Sequence, residues 1–309
     1  MEDLVSIIIA NFNKEKYIAQ AINSLLGQTY SNLELIVIDD GSTDKSPEII
    51  NFFAKKDKRI RYYPRPHEGK VKACNFGVTQ ATGEYIKIYA SDDVLFSDAI
   101  YQLIRRIKGY DVVIHNCTVV SESLAVVKDR LMDMKQYENE ITVFDVIKGM
   151  GCASGNYFMT RKAAKEIFPI PVVASYEDWY IYLMVIKNGL KVNYFDRSLG
   201  LYRQTPDGAF GGVGNYKLKT LVYRAKRDKE MLVLFRNILP RQYKNEINNK
   251  IRECELIYGR DIWEIFKSNF SVQKKAKMLL KIRLNLLYRL LLFFSRLAVW
   301  IKDKLGITM

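Results

Sequence analysis

The chain has 309 residues and is 49% apolar, ample for a packed core and long enough for one large α/β domain with an extension. Its net charge of +14 is unevenly placed: residues 1–216 balance 26 Lys/Arg against 26 Asp/Glu, whereas residues 217–309 hold 22 against 8, which marks the C-terminal segment as one that seeks an anionic surface. Four widely spaced cysteines (Cys74, Cys117, Cys152 and Cys254), with no CxxC pair and no Cys/His cluster, exclude a zinc finger and point to reduced thiols in a cytosolic protein.

In chain order, Val5–Ala10 reads as a strand entered directly from Met1-Glu2-Asp3-Leu4, which lacks the basic region of a secretory signal, so a cytoplasmic location is expected. A polar loop follows at Asn11–Lys14, then a helix over Tyr17–Leu26 with Ile18, Ala21, Ile22 and Leu25 on one face. Leu33–Ile38 is a strand, and Ser46-Pro47 starts a helix with Ser46 as its N-cap. Ile60–Tyr63 is a short strand, Lys70–Gln80 a helix, Tyr85–Tyr89 a strand and Ser97–Lys108 a helix. This alternation predicts a mostly parallel sheet with helices on both faces. Asp111–His115, Asn156–Thr160 and Val192–Phe195 read as further strands and Glu177–Asn188 as a helix closed by Gly189, while residues 118–145 follow no clear pattern. Residues 204–215, with Pro206 and four glycines, read either as an active-site lid or as an ordinary surface connection. No internal repeat occurs, and beyond about residue 217 the chain reads as helical.

Two pairs of acids end buried-looking strands, Asp39-Asp40 and Asp92-Asp93. In open α/β sheets, ligands bind outside the carboxyl ends of such strands. Acids gathered there repel one another unless a cation or hydrogen-bond donors compensate. Taken alone, Asp39 and Asp40 also fit a strand terminus that caps the next turn. Ser175-Tyr176-Glu177-Asp178 has the form of a capping box, so both of its acids also fit a plain helix start.

Four segments in order resemble the family 2 glycosyltransferases and their GT-A fold: Val5–Asn13, Ile36–Asp44, Gly83–Ile86 with Ser91-Asp92-Asp93, and Glu177-Asp178-Trp179. The resemblance spans roughly residues 4–205 and implies a GT-A type, mostly parallel, Rossmann-like sheet with a C-terminal helical extension. It implies that Ala10, Asn11, Phe12 and Asn13 line the nucleoside pocket, that Asp40 accepts the uracil N–H and that Asp39 supports the loop. It further implies that Asp93 ligates Mn2+ or Mg2+ and that Asp92 holds the ribose or completes the metal shell. Asp178 becomes the catalytic base of an inverting displacement, with Glu177 beside it. Lys72, Asn75 and Arg203 are placed near the nucleotide and Trp179 against a sugar ring. Ser91 and Cys74 stand where the family often has Asp and Arg, and Gln204-Thr205-Pro206-Asp207 offers no His after Tyr202-Arg203. Only His67 and His115 exist, neither in a ligand motif, so a His-assisted metal site is not expected.

Over residues 274–309, Lys274, Lys277, Lys281, Arg289 and Arg296 share one helical side, opposite Leu279, Leu286, Leu290, Phe293, Leu297 and Ile301. This pattern describes an interfacial helix on an anionic membrane, with residues 272–305 as the contact, although packing on the catalytic domain or pairing between copies also fits. Arg289 and Arg296 disfavour a spanning helix. No nucleic-acid-binding motif accompanies the charge. The expected organisation is a catalytic domain over 1–216, with a nucleotide-sugar half to about 110 and an acceptor half beyond it, followed by a basic helical extension over 217–309. The expected protein is a UDP-sugar transferase acting on a lipid-linked glycan or surface polysaccharide at the cytoplasmic face of a membrane. Its rivals are a catalytically inactive sugar-nucleotide-binding scaffold and a basic nucleic-acid binder.

Overall fold

The computed structural model describes residues 2–133, 141–148, 155–205 and 218–259. The chain divides into two compact units, Met1–Gly212 and Val213–Met309. In the first unit β1 (Val5–Asn11), β2 (Leu33–Asp40), β3 (Ile60–Arg65) and β4 (Tyr85–Ala90) pair in parallel in the order β3-β2-β1-β4. Every residue of β2 is buried, as its near-continuous apolar run requires of a strand covered on both faces. Between these strands run α1 (Ile18–Leu26), α2 (Ser46–Lys56) and α3 (Lys70–Gln80). Helix α3 lies close on the sheet through Gly77, where a side chain would run into Ile8 of β1 and Ile38 of β2.

The second half of the sheet is mixed. β5 (Val94–Leu95) and α4 (Ala99–Arg106) precede β6 (Val112–Val120), β7 (Val126–Lys128), α5 (Val143–Ile147), β8 (Tyr157–Thr160), α6 (Arg161–Ile167), α7 (Glu177–Lys187) and β9 (Val192–Arg203). The sheet continues β4-β8-β6-β9-β5, with antiparallel pairing of β8 to β4 and β6, of β5 to β9 and of β7 to β6. β6 and β9 pair in parallel and both outrun their expected lengths, because register shifts at His115–Thr118 let the ladder resume as far as Arg203. Residues 118–145, which carry no clear pattern in sequence, supply the end of β6, β7 and α5. Ser46 is not an N-cap: α2 starts at Ser46 with Lys45 before it, and the Ser46 hydroxyl accepts the Lys14 N–H at 3.0 Å.

One buried carboxylate ties the start of the sheet together. Glu34 Oε1 accepts the Ser6 hydroxyl at 2.6 Å and both the N–H and hydroxyl of Thr82 at 2.6 and 2.8 Å, while Oε2 accepts Arg61 at 2.9 Å. Burial alone raises such a pKa, but these bonds outweigh it and the net shift is downward from 4.5. A depressed folded pKa means stability present above about 4.5 and lost as pH falls through the folded value. Glu34→Ala is expected to cost about 2–4 kcal/mol at neutral pH, read from the urea midpoint, and progressively less below pH 4.

The second unit contains α8 (Leu218–Ile238) and α9 (Lys244–Gly259), joined by a 3-10 turn at Arg241–Tyr243. They form an antiparallel hairpin: Lys229 pairs with Glu255 at 2.8 Å and Arg236 with Asn248 at 3.4 Å, over buried Met231, Leu232, Phe235, Ile247 and Ile251. Among the described residues no helix is long and apolar enough to cross a membrane. The amphipathic helix expected over 274–309 and most of the loop 204–215 lie outside the described residues.

Candidate active site

The carboxyl ends of β1, β2 and β4 meet in register, with Asn11 opposite Asp39 and Ala10 opposite both Ile38 and Ala90. Asp39 stitches the first two loops. Its Oδ1 accepts the Asn11 amide at 2.9 Å and the Ser42 hydroxyl at 2.6 Å, and Ser42 in turn accepts the Asn13 N–H at 2.9 Å. Asn13, at φ 51°, returns its side-chain oxygen to the Thr43 N–H at 2.8 Å.

Asp40 is 4% exposed and anchors the entry to α3: Oδ1 accepts the Glu68 N–H at 2.8 Å and Oδ2 the Gly69 N–H at 2.9 Å. A carboxylate at a helix N-terminus is favoured by the local dipole. Any base N–H brought to Asp40 shares an oxygen with these donors. His67 Nδ1 is 2.9 Å from both the Asp40 carbonyl oxygen and Oδ2, and the His67 ring stacks on Phe12. The backbone of Gly41 (φ 75°) passes so close that a Cβ would sit 2.6 Å from the His67 nitrogen. Gly41→Ala is expected to cost about 1–3 kcal/mol by straining the backbone against the 67–69 segment, read by thermal melting.

Asp92 and Asp93 follow β4. Lys14 pairs with Asp92 at 3.0 Å. Asp93 is buried, with Oδ1 accepting the Arg203 N–H at 2.8 Å. Burial, and then the charge of Asp92, pushes the Asp93 carboxyl up to about 8. Arg203 is 6% exposed, donates to the Asp92 carbonyl at 2.8 Å, and reaches the Glu122 carbonyl and Gln20 Oε1. It is a clamp that fixes the acidic turn, beside the acids expected to meet the nucleotide.

Asn75 also bonds within the fold. Its amide donates to the Ile170 carbonyl and accepts the Ile170 N–H, both at 2.8 Å, bracing the segment that leads to α7. Lys72 points outward and pairs with Glu68 at 2.6 Å. Trp179 donates its indole N–H to the Val146 carbonyl at 2.9 Å, which fixes the ring against α5.

Helix α7 starts at Glu177, with Tyr176 as N-cap and no cap bond from the Tyr176 side chain. Glu177 pairs with Lys70 at the start of α3. Burial pulls the Lys70 pKa down, but Glu177 and Asp178 more than reverse that. Asp178 Oδ1 accepts the Trp179 N–H at 2.8 Å, and its carbonyl accepts the Tyr157 hydroxyl at 2.9 Å. The Tyr202 hydroxyl is pushed well up by burial and then by the charges of Asp93, Asp92 and Asp178. Acids of two distant motifs thus act electrostatically on one phenol.

Behind Asp93 is a small cavity lined by Tyr89, His115, Cys117, Asn156 and Tyr202. Beside it Lys87, fully buried, donates to the Gly155 carbonyl at 2.6 Å and meets His115 Nε2 at 3.0 Å. His115 Nδ1 donates to the Asn116 carbonyl at 2.8 Å, leaving Nε2 as the acceptor. Burial pulls Lys87 down to about 7 and His115 well below its usual value. Sequence reasoning missed His67, Lys14 and this Lys87–His115 pair. The one available signal was a lysine inside the apolar run Ile86-Lys87-Ile88. No group of three His, Cys, Asp or Glu side chains poised for a metal occurs among the described residues. Asp93 nonetheless fits a cation, since a positive charge beside this buried carboxyl would offset both its burial and the charge of Asp92.

A family model described as "Glycosyl transferase family 2" matches residues 6–168, more than half of the chain. Glycosyltransferase GlyG of Streptococcus pneumoniae serotype 4 is 39% identical over 126 residues, covering 40% of this chain and 42% of that protein. Glycosyltransferase GlyA of the same organism is 29% identical over 216 residues, 66% of this chain and 31% of that protein. The chain thus spans well under half the length of these curated relatives. Among solved structures, S. aureus TarS 1-349 in complex with UDP-GlcNAc matches with TM-score 0.59 at 19% identity, over 90% of this chain and 81% of that one. Mannosyltransferase PcManGT from Pyrobaculum calidifontis, in complex with GDP-Man and Mn2+, matches with TM-score 0.60 at 14% identity, over 100% of this chain and 89% of that one. These likenesses establish the GT-A fold.

Proposed function

The chain belongs to glycosyl transferase family 2, and from that premise we propose that it moves a hexose or N-acetylhexosamine from a UDP-sugar to a glycan hydroxyl, inverting the anomeric centre. The observation that carries this reading is the register of β1, β2 and β4, which sets Asn11, Asp39, Asp40, Asp92 and Asp93 at one end of the sheet, with Asp93 buried there. Acids at the carboxyl ends of such strands are where open α/β sheets bind their ligands, and a buried acid beside a second one suits a cationic or hydroxylated ligand. The UDP-GlcNAc bound by TarS supports UDP as the carrier.

In this reading Ala10, Asn11, Phe12 and Asn13 wall the base pocket, with Asp39 holding their loop and Asp40 facing the base. Lys72 is the cation proposed for the phosphates, since its surface pair with Glu68 is weak. Asp93 would hold Mn2+ or Mg2+, with Asp92 completing the shell or meeting the ribose. When bound, the cation supplies positive charge against the departing diphosphate. Asp178 takes the proton from the acceptor hydroxyl as its oxygen attacks the anomeric carbon opposite the nucleotide. Glu177, tied to Lys70, holds the start of α7 and so the direction of Asp178.

We extend the proposal to a catalytic domain over 1–216 and a basic extension over 217–309 that binds an anionic membrane through residues 272–305. The division into compact units near residue 212 supports that organisation. An acceptor carried on lipid, or a growing surface polysaccharide, accords with a site held near such a surface. Calorimetric titration with UDP, with and without Mn2+, followed by a panel of UDP-sugars, tests the reading. Metal-dependent UDP binding with turnover of one sugar supports it. Failure to bind UDP, GDP or dTDP overturns it.

A further inference from the structure

His67 makes two contacts at once. Its imidazole lies on the Phe12 ring, with centroids 4.1 Å apart and planes inclined by 22°. Its Nδ1 is 2.9 Å from the Asp40 carbonyl oxygen and from Asp40 Oδ2. Both partners only accept hydrogen bonds, so Nδ1 carries the proton and donates. A flat ring on Phe12 that donates an N–H to the Asp40 carboxylate is what the proposed function asks of a nucleobase. We infer that the His67 side chain is a built-in occupant of the base seat, which the donor must displace; this rests on the nucleotide reading of the site.

The geometry leaves no way to share the seat. A base between the two rings needs roughly twice their present separation. The backbone is not free to move aside, because Asp40 holds the Glu68 and Gly69 N–H groups at 2.8 and 2.9 Å and His67 packs on Gly41. The His67 side chain is 55% exposed, so rotation about its own χ angles carries the ring into solvent. Donor affinity is then lowered by the fraction of time that the imidazole fills the seat. Ligands without a base do not meet this competition.

Full-length protein is titrated with UDP and, separately, with inorganic pyrophosphate, both with Mn2+. His67→Ala is expected to bind UDP roughly tenfold more tightly and pyrophosphate unchanged, as follows from losing one ring stack and one hydrogen bond from the competing state. His67→Phe, which keeps a ring without the N–H, is expected to show a smaller gain. Equal or weaker UDP binding by His67→Ala overturns the inference, the weaker case meaning that His67 holds the base instead. A direct readout exists because His67 and His115 are the only histidines. In wild-type protein the exposed imidazole proton resonance is expected to move on UDP addition from a ring-current-shifted to a solvent position, and an unmoved resonance on saturation refutes displacement. If wild-type protein binds pyrophosphate but no nucleotide, the nucleotide reading fails and takes this inference with it.

Discussion

Asp178→Asn is expected to lower transfer by about 100- to 10,000-fold while leaving UDP affinity unchanged, measured by sugar-transfer kinetics beside calorimetry. Asn preserves the shape and the acceptor oxygen that receives the Trp179 N–H at 2.8 Å, so the start of α7 keeps its geometry. What is lost is the ability to take a proton. Asp178 belongs to α7, whereas the groups assigned to the nucleotide belong to β1, β2, β4, their loops and α3, so the two functions separate in the data. Retained turnover would remove Asp178 as the base. A parallel loss of UDP affinity would reassign it to the donor site.

Asp93→Asn is expected to abolish the metal dependence of UDP binding and to lower transfer on the order of 1,000-fold, the scale of several kcal/mol of charge stabilisation. The same substitution is expected to leave the melting temperature in metal-free buffer unchanged or raised. Asn retains an oxygen for the Arg203 N–H, and the variant removes a buried acid whose ionisation burial and Asp92 disfavour. A folding defect cannot produce that combination. Unchanged Mn2+-dependent UDP affinity in Asp93→Asn would exclude this residue as a ligand.

Individual residues explain how much was legible beforehand. β2 was legible because its eight residues are all buried, and continuous burial leaves a continuous apolar run. Helix α3 was legible to the residue, since Gly69 and the polar Ala81-Thr82-Gly83 turn bound it. β9 was read as a third of its length, because the exposed Asp196 and Arg197 interrupt its pattern where the register shifts. Ser175 reads as the N-cap in sequence, whereas the N-cap position falls one residue later at Tyr176, and the Lys70–Glu177 pair also holds the start of α7.

The roles of Arg203, Asn75 and His67 were beyond a sequence reading for one physical reason: their partners are remote in the chain. Arg203 grips the turn at Asp92 and Asp93, Asn75 grips Ile170, and His67 reaches back to Phe12 and Asp40. A side chain's chemistry is written locally, but whether its donors meet a ligand or the protein's own carbonyls depends on which loops the sheet order brings together. Sequence by itself determined the alternating strands and helices, the family and the acids at strand ends, since burial, turn chemistry and motif spacing are local properties of the chain. Only the tertiary structure decided that Asp92, Asp93 and Asp178 act on one phenol, that Arg203 is a clamp and that an imidazole lies on Phe12. Those outcomes follow from parallel pairing of β1 with β2 and β4 and from the position of α7, contacts between segments that no local pattern encodes.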